Sequence, residues 1–215
     1  MITRKIAVWL LTGGAIGPVL FVAVVLVSGW TRSGYDPTSM YLSYLSLGPG
    51  GWLVIATTVV SGLLILGSAL GLRRAMRGGR AAGWGPILIG LCGLGVLVAG
   101  ILVPDFARGY PPGTPLGPPS NPSFVARSHD VAAGIAMLCV LEAMFAFAWR
   151  FGREPGGRRW ALYSRASAVA TTVLLLASFI QTDVLGLFEL IAIVIASGWV
   201  THIMWRFRRE LAASA

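Results

Sequence analysis

Apolar residues run along this chain in long unbroken blocks, and short polar or basic segments separate the blocks. A spanning helix needs about 20 mainly apolar residues to cross a hydrocarbon core of roughly 30 Å. Six blocks reach or approach that length and predict helices at about 6–29, 52–72, 82–103, 129–149, 164–182 and 187–207. The first follows Met1-Ile-Thr-Arg-Lys, as a secretory signal would. Its apolar part outruns a signal core of about 7–15 residues and no A-x-A cleavage pattern follows, so it reads as a retained helix.

Pro86 is expected in the first turn of the third helix, where its missing N–H is harmless, and Pro104 just after that helix ends. Pro18 falls inside the first helix, where it removes a hydrogen bond. Gly13-x-x-x-Gly17 and Gly67-x-x-x-Gly71 present faces where neighbouring helices can approach closely. No internal repeat is visible in the chain.

Composition supports the pattern. The chain is 56% hydrophobic and 12% charged, about half the charge of an ordinary soluble domain. Such a surface would expose large apolar patches to water, and the aromatic content excludes disorder. The expected fold class is therefore all-α, a polytopic membrane bundle of six transmembrane helices, forming a single domain over residues 1–215.

The net charge of +9 changes the picture only through its placement. The basic residues form short clusters between apolar runs, as membrane orientation requires, so nucleic acid is not an expected partner. Arg4, Lys5, Arg73, Arg74, Arg77, Arg80, Arg150, Arg153, Arg158, Arg159, Arg165, Arg206, Arg208 and Arg209, 14 of the 17, lie on one side of the six spans. Arg32, Arg108 and Arg127 lie on the other. The positive-inside rule then puts both termini in the cytoplasm of a multi-pass plasma-membrane protein and makes residues 30–51 and 104–128 outer loops. Cys92 and Cys139 sit inside apolar stretches and behave as small hydrophobes.

The candidate chemistry lies in those outer loops and the helix ends below them. Asp36, Asp105, His129, Asp130, Asp183 and Glu189 all map to the outer mouth, and titratable groups gathered at one membrane face are what a site requires. Asp105 directly follows one helix end and His129 opens the next helix, so an Asp105–His129 acid–base pair is expected, assisted by Asp130, Asp36 or Glu189. Trp30, Tyr35, Tyr41, Tyr44 and Tyr110 are the expected lining of an apolar pocket. Tyr41, Leu42 and Leu45 fall on one face of a short interfacial helix within Thr38–Leu47. The proline-rich loop from Pro104 to Ser128 is long enough to act as a lid.

Deeper in the bilayer, Glu142 must be protonated, paired or facing water, since ionised carboxylates there cost at least about 2.5–3.5 kcal/mol. His202 is its expected hydrogen-bond partner by depth. Glu154 and Glu210 read as solvated charges. Only two histidines are present, at different depths, so no metal is expected, although Asp105, His129 and Asp130 are the residues that would hold one. A serine nucleophile from Ser39, Ser43 or Ser46 lacks the Gly-x-Ser-x-Gly elbow, and phosphate-loop, Rossmann and haem-attachment patterns are absent.

Tyr35-Asp36-Pro37 through Ser43-x-Leu45-Ser46-x-Gly48, Gly100-Ile-Leu-Val-Pro104-Asp105, and a following helix that begins with histidine together resemble a prokaryotic six-helix integral membrane family of unknown function. The resemblance implies the fold and draws attention to the Asp105–His129 region without naming a reaction.

The expected function is an intramembrane enzyme. It would use cofactor-independent acid–base chemistry on a lipid or isoprenoid-like substrate entering from the bilayer, as a cyclase, isomerase or hydrolase. Two other readings stand beside it: a transporter or channel with a proton or ion path through Glu142 and His202, and a non-catalytic scaffold binding lipid or a partner protein. Membrane lipids and a hydrophobic small molecule are the expected partners. The oligomeric state is left open.

Overall fold

The computed structural model describes residues 2–76, 80–117 and 119–214, with all their side chains except those of 80–82. Arg77, the Arg80 side chain and Pro118, which figure in the charge tally and the long loop, lie outside the described residues. Six helices, α1 (Arg4–Thr31), α2 (Gly51–Ala75), α3 (Arg80–Ile101), α4 (Phe124–Phe151), α5 (Arg158–Ile180) and α6 (Leu185–Ala213), are long and apolar enough to cross a membrane. Among the described residues there is no strand.

Each helix packs against its sequence neighbours, and α6 returns to α1 to close a ring. An even number of antiparallel spans brings the two chain ends together, and the Arg4 guanidinium donates to the Ala212 carbonyl at 3.1 Å. We call this the basic end and the opposite one, bearing the segments 32–50, 102–123 and 181–184, the cap end.

Local chemistry explains the helix limits. Thr3 caps α1 by accepting from Ile6 N at 3.3 Å, and Ser123 caps α4 by accepting from Ala126 N at 3.0 Å. Both leave fewer orphan donors at a helix start. Arg73, Arg74 and Arg150 occupy last turns, where positive charge suits the helix dipole. α4 therefore begins at Phe124, five residues before the apolar block suggested. The polar run Arg127-Ser128-His129-Asp130 forms its early turns, and His129 lies in the second turn instead of opening the helix. Pro86 is the seventh residue of α3, not a first-turn residue.

Both glycine motifs face the α1–α2 contact. Side chains at Gly13 and Gly17 would press on Leu64, and one at Gly71 would meet the Ala7 carbonyl and Leu11. α2 and α3 approach even more closely at Gly62 and Gly93, where any Cβ would collide with the facing backbone.

The ring is filled unevenly. Toward the basic end, Phe147, Phe151, Trp199 and Phe207 form a buried aromatic plug, with edge-to-face, tilted and stacked contacts at centroid distances of 5.7–6.4 Å. Trp199 Nε1 donates to Ser164 Oγ at 3.0 Å, so the plug's one polar ring atom is satisfied. Glu154, which reads from sequence as a solvated charge, instead bridges Arg150 (2.8 Å) and Arg206 (2.9 Å), and Glu210 also binds Arg206 (2.7 Å). The Arg206 guanidinium lies 4.1 Å from the Phe151 ring centroid. This network ties α4 to α6 at the basic end.

A second core closes the cap end. The first cap segment does not lie flat as an interfacial helix. It turns down as one 3₁₀ turn, Leu42–Ser46, burying Leu42, Tyr44 and Leu45 with Tyr35, Tyr110 and Ala107. Tyr35 and Tyr110 meet edge-to-face at 5.5 Å, and Arg32 reaches the Leu47 carbonyl at 3.2 Å. Gly186 lets this roof rest on α6, because any Cβ there would strike the Met40 and Pro37 carbonyls. Leu187 N donates to the Thr38 carbonyl at 3.1 Å beside it.

Candidate functional site: a cleft at the cap end

Residues one or two turns apart on a helix share a face, so inward positions can be followed along each helix. On α4, Phe151, Phe147, Met144 and Val140 are buried, Met137 is half-buried, and Ala133 and Asp130 are exposed. On α5, Ala161, Ser164, Ala168 and Thr171 are buried, Leu175 and Ser178 are half-buried, and Phe179 is 75% exposed. On α6, Phe207, Ile203, Val200 and Ala196 are buried, whereas Ile193 and Glu189 are half-buried. Burial falls along all three inward faces toward the cap end.

α5 also makes the sparsest contacts with its neighbours in the ring. We read the falling burial on these three apolar stripes as a cleft between α4, α5 and α6. The Thr171 hydroxyl, buried on the inward stripe just below the half-buried positions, has no hydrogen-bond partner among the described residues.

The polar residues at the cleft's upper end come from segments far apart in the chain. Glu189 Oε2 accepts from Leu42 N at 2.9 Å and ties α6 to the roof. Tyr44 lies beside it. Burial raises the Tyr44 phenol above its ordinary range, the Arg108 charge lowers it, and Tyr41, Asp130 and Glu189 raise it. Tyr35 is also raised, first by burial and then by Glu189, Tyr110 and Asp36. Arg108 lies 5.7 Å from the Tyr41 ring centroid and adopts a left-handed backbone (φ 56°) rare for a side-chain-bearing residue. Asp130, Glu189, Tyr41 and Arg108 thus lie within electrostatic reach of Tyr44, with Tyr35 and Tyr110 packed in the same core.

The other expected site residues have local partners. Asp105 Oδ2 accepts from Ser123 N at 2.7 Å, and this bond holds its carboxyl below the usual range. His129 Nδ1 meets the carbonyls of Ala99 (2.9 Å) and Leu102 (2.6 Å) at the end of α3. Carbonyls only accept, so Nδ1 carries a proton. Asp105 and His129 therefore brace consecutive helix ends and share no hydrogen bond among the described contacts. The premise that they meet fails because α4 starts early and carries His129 below Asp105.

Asp36 starts the roof turn, accepting from Thr38 N (2.9 Å), Thr38 Oγ1 (2.7 Å) and Ser39 Oγ (2.6 Å). The hydroxyls of Ser39 and Thr38, with Thr38 N–H, hold it below the usual carboxylate range. Trp30, at 81% exposure, sits at the end of α1 outside both buried cores, where an aromatic ring suits a membrane interface. Among the described residues no three potential ligands converge on a metal position, so Asp105, His129 and Asp130 do not form a metal set.

Nor do Glu142 and His202 form the expected pair. His202 Nδ1 meets Tyr163 Oη at 3.0 Å, and both Glu142 and His202 are exposed on the ring's outer surface. Arg108, Ala133, Leu175 and Phe179 are cleft residues that were not singled out from sequence. α5 does carry one signal, the lowest hydropathy of the six spans at 1.4.

Residues 15–206 match a family described as a protein of unknown function (DUF998). The chain belongs to the DUF998 family. No curated protein and no solved structure matches it. In this member, the Pro104-Asp105 step after α3 and His129 in α4 serve helix-end bracing, and the convergent ionisable groups lie in the neighbouring cleft.

Proposed function

We propose that this DUF998 protein is an intramembrane enzyme acting by acid–base chemistry on a lipid or isoprenoid-like amphiphile. The observation that carries the reading is the loss of burial along α4, α5 and α6 beneath Tyr44, which has Glu189, Asp130 and Arg108 within electrostatic reach. Apolar walls suit a hydrocarbon tail, and the sparse packing of α5 offers entry from the bilayer. Arg108 would hold an anionic head group, Glu189 and Tyr44 would exchange protons with the reacting atom, and Asp130 would supply a second carboxylate. The Tyr41 and Tyr44 rings would face any cationic intermediate. With the 14:3 distribution of basic residues, the cap end lies outside and both termini are cytoplasmic in the plasma membrane.

The aromatic plug leaves Glu142 and His202 outside the ring, which argues against a path through them. A non-catalytic lipid-binding role is favoured by one contact, since Glu189 also has structural work in holding Leu42 N–H. Purified protein in lipid nanodiscs, incubated with a lipid extract and analysed by mass spectrometry, separates the readings. Glu189→Gln keeps an oxygen for Leu42 N–H but cannot act as a proton donor or base. It should lower turnover by about 10²-fold or more, with unchanged melting. Ala133→Trp should block the walls and abolish retention of the amphiphile. Retained lipid without turnover in the native protein favours simple binding, and undiminished turnover in Glu189→Gln removes the acid–base assignment.

A further inference from the structure

Glu142 stands on the lipid-facing side of α4, in a stripe formed by Val131, Ile135, Leu138, Glu142, Phe145 and Trp149. Its five apolar members are 41–64% exposed. Successive spacings of 4, 3, 4, 3 and 4 residues make this a heptad seam of the kind that packs against another helix. Glu142 is its only polar member. It lies seven residues, about 10 Å at 1.5 Å per residue, from Trp149 at the basic end, too far for a glutamate to reach the interface.

Neighbouring groups leave it alone. Cys139, one turn away, and Cys92 of α3 offer only thiols. Arg165 of α5 reaches Gly152 instead, with Nη2 3.8 Å from where a Cβ would stand there, and Tyr163 is engaged by His202. Among the described residues Glu142 has no hydrogen bond or ion pair.

We infer that the Glu142 face of α4 is the interface of a homodimer, in which the occupant is α4 of a second copy. A two-fold axis along the membrane normal brings each residue near the axis against its own counterpart at the same depth. A neutral carboxyl carries one donor and one acceptor, so it is complementary to itself and two copies satisfy each other fully. An isolated charge in hydrocarbon is costly, and interhelical hydrogen bonds between polar side chains hold membrane helices together. A single polar position in an apolar seam also fixes register.

Single-molecule photobleaching of the full-length protein in phosphatidylcholine liposomes, across a range of protein-to-lipid ratios, tests this. The native protein and Glu142→Gln, whose amide is also self-complementary, should bleach in two steps. Glu142→Leu makes the seam more apolar and should bleach mainly in one, with the dimer dissociation constant raised about tenfold or more. Measured on the monomer in detergent, its melting temperature should match the native value, because the side chain has no hydrogen bond or ion pair within its own copy among the described residues. A native protein that stays monomeric at the highest density, or a Glu142→Leu variant that dimerises as tightly as native, overturns the proposal.

Discussion

The two ends of this bundle solve the same problem differently. At the basic end, four aromatic rings fill the ring's interior and a chain of ion pairs, Arg150–Glu154–Arg206–Glu210, ties α4 to α6. At the cap end burial falls along α4, α5 and α6, and a separate core built largely from loops lies above them. Packing in hydrocarbon gains little from burial as such, because lipid tails are as apolar as the side chains. A helix pair therefore stays together only where shapes or polar groups interlock. α5 interlocks near the plug through Ser164 and loses that grip toward Phe179, and the cleft follows from this loss.

The largest test of the contrast removes a ring from each half. Phe147→Ala should cost about 2–4 kcal/mol in thermal or denaturant unfolding in micelles, a cavity term without much transfer term. Phe179→Ala should stay within about 0.5 kcal/mol. Equal costs would mean that the halves are packed alike. Next comes the roof. Gly186→Ala forces a methyl group against two carbonyls, and should cost about 1–3 kcal/mol while speeding hydrogen exchange in residues 38–47. Ser164→Ala leaves Trp199 N–H unpaired within the plug and should cost about 1 kcal/mol.

The smallest effect is a pH dependence confined to the cap. Asp36 is held below its ordinary range by the hydroxyls and the backbone N–H that it accepts from. The stability it adds is therefore present above the usual carboxylate range and is lost as pH falls through its lowered value. Between pH 6 and pH 3 the native melting temperature should fall more than that of Asp36→Asn. Parallel curves would show that the turn does not depend on this carboxylate.

The six spans are legible in the sequence because a membrane demands long apolar blocks and tolerates little else. Gly13, Gly17 and Gly71 likewise announce a close contact, although nothing along the chain says that α1 and α2 touch each other there. The helix starts are harder to read. Arg127 to Asp130 resembles a loop in composition, yet Ser123 caps a helix that runs through it, and that shift separates His129 from Asp105. The convergence around Tyr44 was only half visible. Asp130, Glu189, Tyr41 and Tyr44 stood out as outer polar or aromatic residues. Their meeting depends on a roof that folds down onto α6, and on Arg108 held by its own loop, which are through-space facts without a local signature. Glu142 was recognised as costly, but its depth pointed to His202 when its helix face pointed outward.

The first two turns of α6 hold the roof through Gly186, Leu187 and Glu189 and at the same time supply one wall of the cleft. Wall and roof are in effect one lever. On the proposed function, a guest that wedged α6 aside would also tilt the roof held by these same turns, so occupancy of the greasy slot would be readable at the cap.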